Sequence, residues 1–448
     1  MSGAGEGARE FGRSATLLSA GVGAAGLLTY VYFSLASHNL DPTEYGEVVV
    51  LWSAVFVSIS VLYRPVEQLL SRTIAERQAR GQSISSALRV AATIQIGIGL
   101  ITAAVVLALR DPLQDDLLGG SEALYWILFF ALLAFGASFF ARGYLAGNRR
   151  FVLLTGLLLA ESFSRAAFAL AVALGISEGQ TAVALGIAAA PALSLLVVPL
   201  AFGRRAARAT ANQAASSSGA ELKFVHGGGF AAAVLVVMLS EQTLLNGGPL
   251  IVRGFEGAAA AGFIFNVLLL ARAPLVVFQG VATSLLPHLT RLRSRGAAGT
   301  EAFRLSITGT LRAVAAFTAL AATVVAIAGP DLMQIAFGDA FTYDRAGLLI
   351  VTAGMGLYLT ATTLSQAAVA QGQVRSAALR WAACALAFLI WCLLPAFDEA
   401  RRVELGFTAA AALLAALLVP LHQRPGEEVE PGSPEELEAR LAVADEAG

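Results

Sequence analysis

The sequence has few charged residues and almost no lysine. Only 14% of its 448 residues are charged, and Lys223 is the one lysine among 30 basic residues. A soluble globular domain carries about 25% charged residues. Together with 57% hydrophobic residues and a mean hydropathy of +0.72, this shortage excludes a disordered chain, a nucleic-acid-binding protein and an ordinary cytosolic enzyme. The composition indicates a polytopic membrane protein.

Cysteine and histidine are also scarce. Cys384 and Cys392 lie eight positions apart in one apolar run, which on a helix separates them by about 12 Å, too far for a disulfide. No CxxC motif or Cys/His cluster occurs, so we expect neither a metal site nor a cofactor. The sequence lacks a Gly-Lys-Ser/Thr phosphate-binding loop, which argues against an ATP-driven motor. It also shows no paired carboxylates or nucleophile–base arrangement, and we do not expect an enzyme.

Long apolar runs make up most of the chain. A hydrocarbon core about 30 Å thick needs about 20 residues of helix to cross it. The sequence predicts twelve such helices, the first of them retained rather than cleaved as a signal peptide. They cover residues 14–36, 45–63, 87–109, 122–145, 151–174, 181–202, 225–247, 258–285, 305–328, 346–370, 376–396 and 403–421.

The basic residues are distributed unevenly between the two ends of these helices. On the side that holds the N-terminus, the connecting segments contain 22 of the 30 basic residues, whereas the opposite loops contain five. The opposite loops are mostly acidic, as at Asp41, Glu44 and Asp111. Since Lys and Arg of short loops stay on the cytoplasmic side, the sequence predicts a multi-pass protein of the cell (cytoplasmic) membrane with both termini in the cytoplasm.

A polar, Ser/Ala-rich stretch divides the helices into two sets of six. The sequence therefore predicts an N-terminal lobe over 1–203, a cytoplasmic linker over 204–224 and a C-terminal lobe over 225–421. Residues 422–448 form a separate acidic tail, which we expect in the cytoplasm. Residues 66–80 have apolar side chains near one face and arginines elsewhere, which predicts an amphipathic helix at the membrane interface. A charged loop is the alternative there.

Ionisable side chains inside apolar helices are costly in lipid and mark candidate functional sites. Glu161 and Arg165 lie four residues apart on the fifth predicted helix and could pair with each other. Glu241 lies near the middle of the seventh helix, and Arg272 lies at comparable depth in the eighth. An arginine could neutralise a phosphate of an anionic substrate. An acid could hold that arginine or exchange a coupling proton.

The alternative is that these charges form structural ion pairs between packed helices. The amides of Asn246 and Asn266 also have two interpretations. They could belong to a substrate site, or they could form structural hydrogen bonds between helices. The predicted substrate-binding residues are Arg272, Glu241, Asn266, Asn246, Arg165 and Glu161.

Six segments, taken in order, carry a likeness to a known superfamily. They are LDPTEYGEVVV (40–50), SRTIAERQARG (71–81), RGYLAGNRRF (142–151), LLNGGPLIVRGFEGAAAAGFIFNVLLLARAPLVVF (244–278), LLPHLTRLRSRG (285–296) and MQIAFGDAFTYDRAGLLI (333–350). The chain resembles the multidrug/oligosaccharidyl-lipid/polysaccharide (MOP) exporter superfamily over residues 10–421. Within that superfamily it is similar to the oligosaccharide flippases of polysaccharide biosynthesis.

This resemblance implies an all-α integral membrane protein with twelve transmembrane helices in two six-helix lobes around a central cavity. Helices 1, 2, 7 and 8 typically line that cavity, which favours Glu241 and Arg272 over the helix 5 pair. The resemblance also implies a flippase that carries a prenyl-pyrophosphate-linked oligosaccharide across the cytoplasmic membrane by alternating access. Arg272 would then engage the pyrophosphate.

Two other functions stay open. One is a cation-coupled multidrug exporter of the same superfamily, for which we would expect a cavity dominated by acids. The other is a non-transporting membrane scaffold that recruits glycosyltransferases. The expected partners are the lipid-linked glycan, membrane lipid, a coupling H⁺ or Na⁺ and polysaccharide-assembly proteins, and no nucleic acid.

Overall fold

The computed structural model describes residues 3–197, 228–273, 289, 297–394 and 399–423. Within those ranges the chain is helical and contains no β-strand. The predicted linker over 204–224 lies outside them, as does the acidic tail from residue 424 onward.

The described part of the first half forms seven α-helices, a short π-helical turn over Pro112–Leu117 and a 3₁₀ turn over Leu195–Val197. The third helix confirms the amphipathic helix predicted over 66–80 and excludes the charged loop. The seven are α1 (Gly3–Asn39), α2 (Pro42–Leu62), α3 (Arg64–Ala79), α4 (Ser85–Ala108), α5 (Glu122–Gly147), α6 (Phe151–Ala173) and α7 (Gly179–Ser194).

The described part of the second half forms α8 (Gly228–Glu256), α9 (Ala258–Ala271), α10 (Ala297–Phe337), α11 (Arg345–Ala370), α12 (Val374–Leu393) and α13 (Glu399–Gln423). Each of the twelve predicted runs thus coincides with a helix. Among the described residues, ten helices are long and apolar enough to cross a membrane, whereas α7 and α9 are shorter. The remainders of their predicted runs, 198–202 and 274–285, lie outside the described residues.

The sequence around residue 41 explains where α2 begins. Asp41 Oδ1 accepts hydrogen bonds from the backbone N–H groups of Thr43 and Glu44, at 2.8 and 3.0 Å. These bonds satisfy two donors that the first turn of a helix leaves without a partner. Pro42 occupies the first turn, where its fixed φ suits a helix and its missing N–H costs nothing.

The chain divides into two compact units. Unit 1 contains Met1–Leu222 and Pro249–Phe263, and unit 2 contains Lys223–Gly248 and Ile264–Gly448. In unit 1, α6 packs against α1 and α7, and α3 packs against α5. In unit 2, α11 packs against α10 and α13. The end of α8 and the start of α9 therefore belong to unit 1, which the division of the sequence into two lobes does not anticipate.

Within unit 1, two glycines bring residues 249–263 against α2. A Cβ atom on Gly46 would overlap the carbonyl oxygen of Ala258. A Cβ atom on Gly262 would lie 3.0 Å from Tyr45 Cδ1 and 3.1 Å from Gly46 Cα. The two backbones therefore meet without side chains between them, as small residues permit in membrane helices.

Gly46→Ala is expected to destabilise this contact, because the new methyl group meets backbone atoms that cannot rotate away. Overpacking of this kind costs about 1–3 kcal/mol, which should lower the unfolding temperature of the detergent-solubilised protein. Gly97→Ala on α4 is the matched control, since nothing lies within 4 Å of a Cβ atom there. Equal unfolding temperatures for the two variants would contradict the close contact at Gly46.

Arg401 and Arg402 are two of the five basic residues that the sequence assigns to the outer loops. They lie on α13 instead, because that helix begins at Glu399. Arg402 is only 6% exposed. Arg401 Nη2 donates to Asp344 Oδ1 at 3.0 Å, and Nη1 donates to the fully buried Glu404 at 3.3 Å. Burial raises the pKa of the nearby Tyr343 phenol, and the hydrogen bond and charge of Glu404 raise that pKa further. The phenol therefore stays protonated at neutral pH.

Candidate functional site

Arg272 directly follows α9 in unit 2. Its backbone N–H donates to the carbonyl oxygens of Leu268 and Leu269, both at 3.0 Å. It stands about 21 Å along the helix axis from Ala258, where α9 begins, a distance shorter than the thickness of a hydrocarbon layer, about 30 Å. Its side chain is half-buried, and Asn266, six residues earlier, is fully buried.

Hydrogen bonds connect Arg272 to α8. Its Nη1 donates to Asn246 Oδ1 at 3.1 Å, and Asn246 Nδ2 donates to Gln242 Oε1 at 2.7 Å. Asn246 and Gln242 are each 7% exposed. Since the amide of Asn246 is neutral, its bond to Arg272 orients the guanidinium without cancelling the positive charge. The structure thus brings together two of the predicted site residues, Arg272 and Asn246.

Glu241 has a hydrogen-bond partner on a different helix. Its Oε1 accepts a hydrogen bond from Tyr358 OH on α11 at 3.0 Å. The Tyr358 ring lies edge-on to Trp381 with 5.9 Å between ring centroids, and 6.2 Å from Phe407, so packing fixes the phenol. No Arg or Lys nitrogen that the structure describes lies within 4 Å of the Glu241 carboxylate. Glu241 therefore does not form an ion pair with Arg272.

Glu161 forms a buried ion pair within unit 1, but its partner is Arg142 of α5. Arg142 Nη2 donates to Glu161 Oε2, and Ser138 Oγ donates to Glu161 Oε1 at 3.0 Å. Spacing on α6 places Glu161 and Arg165 one turn apart, and both are almost fully buried, with 3% and 4% of their surface exposed. The ion pair of Glu161 nevertheless joins α6 to α5. Glu161 does not pair with Arg165, although the spacing along the helix suggests that pair.

Arg165 packs against aromatic rings of α2 instead. Its Cζ lies 4.9 Å from the centre of the Trp52 ring and 5.9 Å from that of Phe56, and these two rings stack at 3.9 Å. Its Nη2 donates to Ser162 Oγ at 3.2 Å. A guanidinium over aromatic faces is favourable electrostatically, more so away from water. Arg165 therefore reaches from α6 to the aromatic side chains of α2 in unit 1.

Sequence reasoning missed several polar residues of these clusters, among them Arg142, Gln242 and Tyr358. The charge count places Arg142 in a cytoplasmic loop, although it falls within the predicted run 122–145 and lies four positions after Ser138. That spacing, and the same spacing between Gln242 and Asn246, could have indicated shared helix faces. Tyr358 lies 117 positions from Glu241, and no local pattern relates the two.

In the part of the chain that the structure describes, no group of three or more His, Cys, Asp or Glu residues is arranged to hold a metal ion. Cys384 and Cys392 are free and buried on α12, which confirms that they do not form a disulfide.

Known proteins resemble the chain in sequence and in fold. No family model matches it. An uncharacterized protein of Mycobacterium tuberculosis is 27% identical over 403 residues, which cover 85% of this chain and 86% of that protein. The solved inward-facing structure of a multidrug resistance MATE family transporter of the MOP superfamily has a TM-score of 0.70 at 13% identity, covering 94% of this chain and 96% of that one.

A second solved structure is a MOP superfamily transporter from Pyrococcus furiosus, whose reversed binding-pocket polarity is described as suggesting a different function. Its TM-score is 0.60 at 13% identity, covering 97% of this chain and 96% of that one. The fold is thus the twelve-helix, two-lobed fold of MATE transporters in the MOP superfamily, which confirms the predicted fold class. With ten candidate spans among its described residues, the chain is a multi-pass membrane protein.

Proposed function

We propose that this protein is a flippase that translocates a prenyl-pyrophosphate-linked oligosaccharide across the cell membrane by alternating access, for cell-surface polysaccharide biosynthesis. The observation that carries the proposal is the Arg272 cluster: a guanidinium directly after an apolar helix, oriented through its bond to the neutral amide of Asn246. The transporter fold supports movement of a substrate. Both termini would lie in the cytoplasm.

The chemistry of the Arg272 cluster favours an anionic substrate. A guanidinium presents several N–H donors in one plane and matches phosphate oxygens well. Asn246 and Gln242 add neutral groups that can hydrogen-bond to sugar hydroxyls or to the phosphate. Glu241 accepts its hydrogen bond from Tyr358 and forms no ion pair with Arg272. The Pyrococcus furiosus structure gives a precedent, on the same fold, for a pocket of reversed polarity.

A transport assay in proteoliposomes tests the proposal. The purified full-length protein is reconstituted with a labelled prenyl-pyrophosphate oligosaccharide, and the accessibility of the sugar to an external enzyme is followed over time. We expect the sugar to change sides faster than in empty vesicles. No difference from empty vesicles would contradict the flippase. Transport of a cationic dye instead would indicate the multidrug exporter, and glycosyltransferase binding without transport would indicate the scaffold.

We further propose that Glu241 takes up the coupling cation, H⁺ or Na⁺. Its carboxylate lies near the middle of α8, accepts its hydrogen bond from a neutral phenol and is half-buried. A carboxylate in such a place can bind a proton or sodium ion, and Tyr358 would hold it in position.

Glu241→Gln is expected to abolish the response of transport to an imposed pH or sodium gradient, because the amide binds neither cation as the carboxylate does. Exchange without a gradient should continue. The measurement is the transport rate with and without each gradient. Glu301→Gln, which changes a carboxylate that is 67% exposed, is the matched control and should respond as the unmodified protein does. A gradient response that survives in Glu241→Gln would exclude this role.

A further inference from the structure

Helices α8 and α9 are each divided between the two compact units. The chain passes from unit 2 to unit 1 between Gly248 and Pro249 of α8, and it passes back between Phe263 and Ile264 of α9. Residues 249–263, the α8–α9 tip, are therefore packed with unit 1 although both helices continue into unit 2. Compact units of one chain can move relative to each other as bodies. Such a motion makes a shared segment bend or give up one of its two attachments.

The two helices are firmly attached to unit 2 directly outside the tip. A Cβ atom on Gly248 would lie 2.8 Å from Val403 Cγ1 of α13 and 3.4 Å from Leu268 Cδ1 of α9, so α8 fits closely there. The hydrogen bond from Arg272 to Asn246 also connects α8 with the end of α9. These contacts involve side chains that meet within one unit, and we expect them to persist when the units move.

The attachment of the tip to unit 1 is of a different kind. At Gly46 and Gly262 the backbones of α2 and the tip meet without side chains between them, so few groups interlock. Arg253 adds a hydrogen bond, because its Nε donates to the carbonyl oxygen of Leu117 at 3.0 Å. Leu117 is the last residue of the π-helical turn that follows α4. Among the described residues, no carboxylate oxygen lies within 4 Å of the Arg253 guanidinium.

A carboxylate of α2 lies close to this hydrogen bond. A Cβ atom on Gly119 would overlap Glu47 Oε1 and would lie 3.5 Å from Arg253 Nη2. Gly119 has a φ of 64°, a conformation that glycine adopts without strain. Its missing side chain thus leaves room for the Glu47 carboxylate and the Arg253 guanidinium beside the same turn. Glu47 attracts the guanidinium toward unit 1 without forming an ion pair with it.

We infer that Arg253 is a latch: its bond to Leu117 holds the α8–α9 tip on α2, and breaking this bond lets the tip separate from α2 and stay with unit 2. The inference rests on the proposed function, because alternating access requires two arrangements of the protein. The attachment that is given up has glycine contacts and an arginine bonded to a neutral carbonyl. Since the sequence predicts that this end of α2 lies outside the membrane, the latch controls access to the Arg272 cluster from the outer side.

Distances between two spin labels on the full-length protein test the latch. Thr43→Cys on α2 and Gly254→Cys on the tip place the labels at exposed positions, and Cys384→Ala/Cys392→Ala removes the two native thiols. Double electron–electron resonance in lipid nanodiscs measures the distance between the labels. We expect a short distance for the latched form and a longer one for the released form. Arg253→Gln should raise the ratio of released to latched protein about tenfold or more, because a hydrogen bond from a charged group is lost.

Arg345→Gln is the matched control, since it removes the same charge from an exposed arginine of unit 2 and keeps the bond to Leu117. An unchanged ratio in Arg253→Gln would overturn the latch, and so would an equal rise in the control. Glu47→Gln keeps the arginine and its bond, and it should raise the ratio by less than Arg253→Gln does. A larger rise in Glu47→Gln would show that the carboxylate holds the tip, and would overturn the role of the Leu117 bond.

A tether between the same two cysteines tests whether release is part of transport. A short bismaleimide that joins positions 43 and 254 should stop translocation in proteoliposomes, whereas either cysteine alone, treated in the same way, should not. Full translocation by the tethered protein would overturn the latch. The distance measurement needs no substrate, so it decides on the latch separately from the proposed function. A protein that shows the shift in Arg253→Gln but carries no prenyl-pyrophosphate oligosaccharide would contradict the flippase and support the latch.

Discussion

Arg142→Gln should lower the stability of the protein by about 3–5 kcal/mol, because it leaves the Glu161 carboxylate buried without its cation. The Glu161 side chain is only 4% exposed, so water cannot replace the lost partner, and Ser138 Oγ supplies one hydrogen bond. For a chain of 448 residues, a loss of this size should lower the unfolding temperature by roughly 3–5 °C. Thermal unfolding in detergent, followed by size-exclusion chromatography, measures it.

The double variant Arg142→Gln/Glu161→Gln separates the charge pair from other effects of the substitution. With both charges removed, neither member of this pair stays in the interior as an unpaired ion, and we expect most of the lost stability to return. Arg110→Gln, at an exposed ion pair, should change stability by at most about 1 kcal/mol. A double variant no more stable than Arg142→Gln would show that the buried charge is not the cause.

The helices could be predicted from the sequence because their signals are local. An apolar run of sufficient length has to be helical in lipid, since each backbone N–H and C=O must find a partner within the segment. Helix starts are local as well, as Asp41 and Pro42 show at α2. The number of helices then followed from counting runs and from the alternation of basic and acidic loops.

The partners of the buried charges could not be predicted in the same way. Spacing along α6 favoured Glu161 with Arg165, yet the ion pair formed with Arg142 of α5, 19 positions away. Helical periodicity shows which residues share a face but not which neighbouring helix that face meets. The position of residues 249–263 in unit 1 depends on two glycines meeting between distant segments, and no local pattern contains that information.

The sequence and the structure together reduce the number of candidate substrate-binding residues. The position of Arg272 within an apolar run marked it as a candidate, and its bond to Asn246 shows how the side chain is held. The unit 1 residues Glu161 and Arg165 have partners that explain them structurally, which leaves Arg272, Asn246 and Glu241 as the stronger candidates for substrate and coupling. A substitution of Asn246 therefore tests the site more sharply than removal of the arginine alone.

Arg272→Gln is expected to reduce translocation of the prenyl-pyrophosphate oligosaccharide about 10- to 100-fold. A charge-assisted hydrogen bond contributes about 1.5–3 kcal/mol, and each 1.4 kcal/mol is a factor of ten. Arg272→Lys should keep part of the activity, because lysine retains the charge but not the planar set of donors. The proteoliposome rate, normalised to correctly folded protein, measures both variants.

Asn246→Asp keeps Arg272 in place but sets a carboxylate against it at the position of the present amide oxygen, 3.1 Å from Nη1. The amide of Gln242 has to turn so that its Nε2 donates to the new carboxylate, because aspartate lacks the N–H that Asn246 donates to Gln242 Oε1. If the substrate needs the net positive charge, this nearly isosteric change should reduce translocation as strongly as Arg272→Gln while leaving the unfolding temperature unchanged or higher. If the arginine only joins α8 to α9, Asn246→Asp should strengthen that contact and leave transport intact. Arg312→Gln, at an exposed position of α10, is the control for losing an arginine within a membrane span. Full transport by Asn246→Asp would therefore exclude Arg272 as the group that binds the pyrophosphate, even if Arg272→Gln were inactive.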